Sequence, residues 1–334
     1  MNLPRREQFT GCLIGQCLGD ALGCRVEGYP PEVCQNFVNY DVLPKRPRYL
    51  HRLPFPFGQY TDDSQLAREL LQSYVACGKF DPADYAQRVG AIFIEDRIVG
   101  RGRSTEAAAL RLAKGIPWQE AGTPSPNAGN GTAMRAAPIG LIFYDDPEKL
   151  IEAAHLQGLC THQDLRCSAG SVAIAGAVAL SLQTEIIEVE SFLEQLSQWV
   201  QEIETTFASF LKELNHWITL PPQEAVTIIS KLGLPSDYEQ RWPGISPFVV
   251  PSVLWSLYSF LRSPQDYWET ICTSIEVGGD VDTTAAMAGA ISGAYLGMEV
   301  IPLELAQQLN DRVTWGYREL VELALQCYQL KVTR

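Results

Sequence analysis

The chain has 334 residues, 46% of them apolar, which is enough to bury a sizeable core and argues against global disorder. Its net charge is −13, from 26 basic and 39 acidic residues, and its nearest basic cluster is the short, Pro-interrupted Lys45-Arg46-Pro47-Arg48. That balance disfavours nucleic acid as a direct partner and leaves nucleotides and metal cations open. The nine cysteines are irregularly spaced with no C-x-x-C pair. Cys12, Cys17, Cys24 and Cys272 sit in or beside apolar helical patterns. They read as buried thiols in a reducing cytoplasm rather than as a disulfide scaffold or zinc site. The charged start, Met1 to Glu7, has no signal-peptide layout. The longest apolar run, Ser171 to Leu182, is shorter than the ~18 residues of a span, so no membrane crossing is expected.

In chain order, Arg5 to Cys24 has helical periodicity. Gly11, Gly15, Gly19 and Gly23 fall on one stripe of it, as expected where another backbone packs closely. Asp20 lies beside the stripe, and Glu27 follows the helix as a loop carboxylate. Residues 29–60, rich in Pro and aromatics, read as an ordered loop containing Pro47, Pro54 and Pro56. A helix then starts at Thr61-Asp62-Asp63-Ser64 and continues through Val75. Helical patterns follow over Pro82–Ile98 and Ser104–Lys114. The junction between them, Val99-Gly100-Arg101-Gly102-Arg103-Ser104-Thr105, offers free backbone N–H groups of the kind that meet phosphates.

Residues 122–131 form a Pro/Gly/Asn-rich loop running into Asn130-Gly131-Thr132-Ala133-Met134-Arg135. It lacks the Gly-Lys-[Ser/Thr] ending of a P-loop. Pro147 to Leu159 is helical, His162 stands at the next junction, and Ser168 to Leu182 is a small-residue helix. A histidine in that position is more often structural than a ligand. Glu185 to Leu214 reads as one or two solvated amphipathic helices. Helices follow at Ala225–Leu232, Ser246–Leu261 and Asp266–Glu276. The last of these feeds Gly278-Gly279-Asp280-Val281-Asp282-Thr283-Thr284, where another small-residue helix begins. Leu303 to Leu330 completes the chain. No sustained β alternation occurs, so the expected fold is all-α: one compact domain over 1–334 with about ten or more helices.

Thr61-Asp62-Asp63 and Asp280-Val281-Asp282-Thr283 each pair two carboxylates with a hydroxyl at a helix start. Either alone is most economically a helix cap. Together they offer four carboxylates that would repel if brought to one place, a repulsion divalent cations relieve. An all-oxygen donor set favours Mg2+ or Mn2+ over zinc.

These residues carry a family resemblance. Gly19-Asp20-Ala21-Leu22-Gly23 with Val26-Glu27-Gly28, Tyr60-Thr61-Asp62-Asp63-Ser64, Gly129 to Arg135, Thr161-His162 and Gly278 to Ala285 resemble, in order, the signature blocks of the ADP-ribosylglycohydrolases. The resemblance implies an orthogonal helical bundle with a two-Mg2+ centre, Mn2+ being the alternative. It implies Thr61, Asp62, Asp63, Asp280, Asp282 and Thr283 as metal ligands, with Asp282 as the bridge. Glu27, Asp62 and Asp282 are the implied catalytic group, Glu27 as acid/base. Gly102, Ser104, Asn130, Gly131, Thr132, Met134 and His162 are the implied lining of an ADP-ribose pocket.

The implied activity is hydrolysis of the glycosidic bond between ADP-ribose and an acceptor, with an ADP-ribosylated protein or a small ADP-ribose conjugate as partner. Two alternatives stand beside it: hydrolysis of a free O-acyl-ADP-ribose or related nucleoside derivative, and a non-catalytic binding or structural relative. Val281 stands where the family usually has threonine, Ser64 where threonine is common, and Arg101 and Arg103 are extra. The acidic 184–245 region does not align readily.

Overall fold

A computed structural model describes residues 3–46, 55–239 and 241–333; Pro47, Arg48 and Pro54 lie outside them. The described residues form seventeen α-helices, and their only β pairings are four isolated bridges. The helices are α1 (Arg6–Gly23), α2 (Pro31–Phe37), α3 (Asp62–Cys77), α4 (Pro82–Ile94), α5 (Arg103–Ala113) and α6 (Trp118–Ala121). They continue as α7 (Ala137–Ile142), α8 (Pro147–Leu159), α9 (Leu165–Gln183), α10 (Val189–Gln201), α11 (Thr205–Trp217) and α12 (Pro222–Ile229). The last five are α13 (Val249–Arg262), α14 (Tyr267–Ile275), α15 (Val281–Leu296), α16 (Leu303–Ala306) and α17 (Tyr317–Val332).

The all-α expectation holds, with more and shorter helices than the periodicity alone reveals. Residues 29–60 are not simply a loop. Pro31 sits at the first helical position, where its missing N–H costs nothing, and starts α2, which runs on into a π turn at Val38–Val42. The short helices α6 and α7 also escape the sequence pattern. α4 ends at Ile94, four residues before the expected Ile98, and the acidic stretch resolves into two helices, α10 and α11.

The centre of the bundle is α15, whose residues Val281 to Tyr295 are all buried. It lies antiparallel against α1. A Cβ added at Gly11, Gly15, Gly19 or Gly23 would overlap the backbone of Gly293, Gly289, Ala285 or Asp282 in turn. The reverse also holds, since Gly289 and Gly293 press on the carbonyls of Gly15 and Gly11. The expected glycine stripe is therefore a seam of backbone on backbone. Helix α9 is long and apolar enough to cross a membrane (19 residues, mean hydropathy 1.6), which the shorter run Ser171–Leu182 did not suggest. Within this fold 83% of its most apolar window is buried, and it packs against α7, α8, α10, α13 and α15. All nine cysteines are free thiols; Cys77 is exposed and the other eight are buried.

The seam generates a paired prediction. Gly15→Ala must push α1 off α15 and should destabilise the protein by about 2–3 kcal/mol, as overpacking does. Gly90→Ala on α4 should instead stabilise it, by up to about 1 kcal/mol, because its new methyl would meet only Leu112 Cβ at an ordinary 3.6 Å. Denaturant midpoints of the two variants check both signs.

Candidate functional site

The C-terminal end of α1 delivers the first part of the site. The seam puts Gly23 against Asp282, and the turn after α1 is stitched to the start of α15. Gly28 N donates to Gly279 O (2.8 Å), and Gly279 N donates to Tyr29 O (3.2 Å). On its other side, Asp280 N donates to Ile245 O (2.8 Å) and Ile245 N to Gly278 O (3.1 Å). Gly278 and Gly279 have φ of +74° and +95°, values at which a side chain would be strained. Carboxylate oxygens of Glu27, Asp280 and Asp282 consequently lie within 4.8 Å of one another, an arrangement that could hold a metal ion.

The second part is the N-terminus of α3, and neither acidic pair is a helix cap. Asp81, Asp146, Asp164 and Asp266 each accept a backbone N–H of the helix they precede, as a cap should. Thr61 and Asp280 occupy the same position and make no such bond. For α3 the service comes from outside the helix. Buried Asp20, on α1, accepts from Ser64 N (3.1 Å), Ser64 Oγ (2.7 Å) and Thr61 N (3.0 Å). The Thr61 hydroxyl lies 2.9 Å from Asp20 Oδ1 and 3.0 Å from Asp63 Oδ2. The borrowed cap leaves Asp62 and Asp63 free to face the cavity.

The electrostatics are those of buried carboxylates gathered in one place. Burial, then the charge of Asp20, pushes Asp62 up to about 7. Burial, then Glu27, does the same for Asp280, also to about 7. Asp63 and Asp282 are held well above the usual carboxylate range, first by burial and then by their acidic neighbours. Asp20 rises to about 6 through burial, opposed by its hydrogen bonds from Ser64 and Thr61. Asp63 Oδ1 is buried and meets no donor among the described residues. Buried like charges with an unpartnered oxygen, in a group of three carboxylates that includes neither His nor Cys among the described residues, suit a hard divalent cation.

These groups line a cavity of about 730 Å³. Thr61, Asp62, Asp63, Asp280, Asp282, Thr283 and Glu27 all face it, as do Gly102, Ser104, Asn130, Gly131, Met134 and His162. Thr132 does not. It is fully buried and its hydroxyl donates to Cys167 O (2.7 Å), so it anchors the loop to α9. Asn130 also orients an acid, its Nδ2 donating to Asp280 Oδ2 (2.5 Å) and Ser252 Oγ (2.9 Å). His162 is buried, its basicity lowered to about 3 by burial and by Arg135, with Nδ1 2.9 Å from Thr161 Oγ1. Val281 is fully buried outside the cavity lining, a core side chain between two cavity-facing aspartates.

Two contributions escape the sequence. Asp20 stood there only as an acid beside the glycine stripe and within the first signature block, with no role of its own. Glu27, expected near the metals and as acid/base, does lie with Asp280 and Asp282. Tyr238 and Trp242 also reach the cavity wall, and they fall in the acidic 184–245 region that does not align readily, where nothing in the sequence singled them out.

The family model for ADP-ribosylglycohydrolase matches residues 1–334. An uncharacterized protein of Archaeoglobus fulgidus is 30% identical over 327 residues, 97% of each chain. ADP-ribosylhydrolase ARH3 of Xenopus tropicalis is 30% identical over 344 residues, covering 92% of this chain and 93% of the relative. A solved structure described as an ADP-ribosylglycohydrolase-related protein complex superposes with a TM-score of 0.70 over 98% of this chain and 99% of the other. At 24% identity that likeness speaks for the fold alone. With its acidic cavity and a family match along its whole length, the chain belongs to the ADP-ribosylglycohydrolase family of glycohydrolase enzymes.

Proposed function

We propose that the protein is a divalent-cation-dependent hydrolase that cleaves the glycosidic bond joining ADP-ribose to a protein side chain. The observation that carries this reading is the meeting of Glu27, Asp280 and Asp282 within 4.8 Å on a cavity that Asp62 and Asp63 also line. Thr61, Asp62, Asp63, Asp280, Asp282 and Thr283 would hold the cations, Mg2+ by preference. When bound, such ions supply positive charge that neutralises the carboxylates and polarises oxygen donors.

The chain's own groups do the rest. The N-terminal turn of α5, with Gly102 at its cap, lines the cavity, and the free backbone N–H groups of a helix start suit the diphosphate. Glu27 accepts a proton from the attacking water, and the aspartates nearby stabilise the cationic character that develops on the sugar. Neutral His162 and Met134 flank the nucleotide without adding charge. Tyr238 and Trp242 cover one wall and exclude bulk water.

Asp62→Asn and Asp282→Asn should each cut ADP-ribose release at least about 100-fold, the scale lost when a preorganised charge is removed, with helical content unchanged. Excess EDTA should do the same to the wild type. The assay compares arginine-, serine- and O-acetyl-linked substrates, and full activity in EDTA would overturn the cation dependence.

In thermal melts, Mg2+ at ~100 Kd adds about 2.7 kcal/mol, a rise of about 4 °C for a chain of this length. Asp62→Asn and Asp282→Asn should lose that rise. Glu27→Gln should lower turnover much more than affinity for ADP-ribose; the opposite pattern would make Glu27 a binding residue.

A further inference from the structure

A buried polar relay runs from the C-terminal loop to the wall of the cavity. Asp311, between α16 and α17, is 4% exposed and more than 240 residues from its three partners in sequence. It accepts from Arg68 Nη1 (2.7 Å), Gln65 Nε2 (2.8 Å) and Gln59 Nε2 (3.1 Å). Gln65 is fully buried one turn into α3, just past Asp62 and Asp63. Its Nε2 also donates to Arg97 O (3.0 Å), and its Oε1 accepts Val99 N (2.7 Å). Val99 O in turn accepts Asp62 N (2.7 Å). Both backbone groups of Val99 are thus committed, one to Gln65 and one to Asp62, and the next residues are Gly100 to Thr105 of the cavity wall.

The neighbour of Asp311 grips the same strand of chain. Arg312 donates to Asp96 O (2.6 Å) and Ile98 O (3.1 Å), and its N–H to Gln59 Oε1 (2.8 Å). The backbone that presents these side chains is strained: Arg312 and Val313 have φ of +49° and +68°, and Val313 is 94% exposed. A β-branched residue in that region is uncommon and costly. Here the exposed Val313 gains nothing by burial, and the turn sends Asp311 inward while Arg312, itself exposed, lies over the carbonyls of Asp96 and Ile98.

We propose that Asp311 is a positioning residue for the substrate wall: acting through Gln65 and Val99, it sets the Gly100–Thr105 segment in register with Asp62. An ordinary buried ion pair with Arg68 would account for the charge of Asp311. It would not account for the two glutamine amides, one of which ends on the segment that precedes the wall. The inference rests on the reading of that wall as the ADP-ribose contact.

The test uses Asp311→Asn and Gln65→Leu, with Leu70→Ala as a control that destabilises α3 without touching the relay. Two quantities are measured well below each melting temperature: ADP-ribose affinity by calorimetry and hydrogen exchange at the Val99 amide. Both relay variants should weaken ADP-ribose by roughly 10-fold or more, the scale of a lost buried hydrogen bond and a shifted wall. Both should also deprotect Val99. Leu70→Ala should lower the melting temperature while leaving affinity and Val99 protection at the wild-type level.

Wild-type affinity in both relay variants, or equal weakening in Leu70→Ala, would overturn the proposal. If Asp311→Asn does not fold, Gln65→Leu decides, since it removes the link to Val99 without altering a charge. Failure of the wild type itself to bind ADP-ribose would overturn the functional reading instead, a result distinguishable because Val99 exchange still reports on the relay.

Discussion

Everything at the site depends on two helices touching backbone to backbone. Side chains of ordinary size between α1 and α15 would hold the helix axes at the usual 8–10 Å. The glycine seam brings them closer, and the price is four helical glycines on α1, each worth roughly 1 kcal/mol against alanine. The seam sets the end of α1 against the start of α15, so Gly23 meets Asp282 and the following turn exchanges hydrogen bonds with Gly279. Glu27 and Asp280-Val281-Asp282, 253 or more residues apart in sequence, become neighbours through that contact.

The same helix provides the second constraint. Asp20, one residue beyond Gly19 of the seam, reaches the N-terminus of α3 and satisfies Ser64 N and Thr61 N. A helix normally caps itself with the residue just before it, and doing so here would turn a prospective ligand inward. Capping from α1 leaves Asp62 and Asp63 free to face the cavity. The cost is visible in the carboxylates, which burial and mutual repulsion hold above their ordinary range. A fold keeps such a cluster against its own stability when something else compensates the charge, and a divalent cation is the economical compensator.

The sequence was most legible where one physical cause leaves a periodic or paired trace. The stripe Gly11, Gly15, Gly19, Gly23 announced close packing, and the two acidic pairs announced themselves as more than caps once both were seen. The helix boundary marked by Pro147 was equally clear, whereas α9, capped by Asp164, starts at Leu165, three residues before the expected Ser168. What stayed hidden depends on contacts across the chain. Asp20 and Asp311 look like any other acid, and only the fold shows which amides surround them. Thr132 sits within a motif whose neighbours face the cavity, yet its hydroxyl is spent on Cys167 O. Tyr238 and Trp242 belong to a stretch without periodicity, so nothing local predicts that they reach the site. Helix α2 was masked by the prolines that begin it.

In the proposed function, the seam assembles one carboxylate cage for divalent cations from halves near opposite ends of the chain. A crystal structure of the protein soaked in Mn2+, with anomalous scattering recorded, tests it most directly. The account predicts anomalous density between Asp62, Asp63, Asp280 and Asp282, with Glu27 beside it, and its loss in Gly15→Ala crystals or in Asp282→Asn. Density confined to one acidic pair, or found only at surface carboxylates, would contradict it.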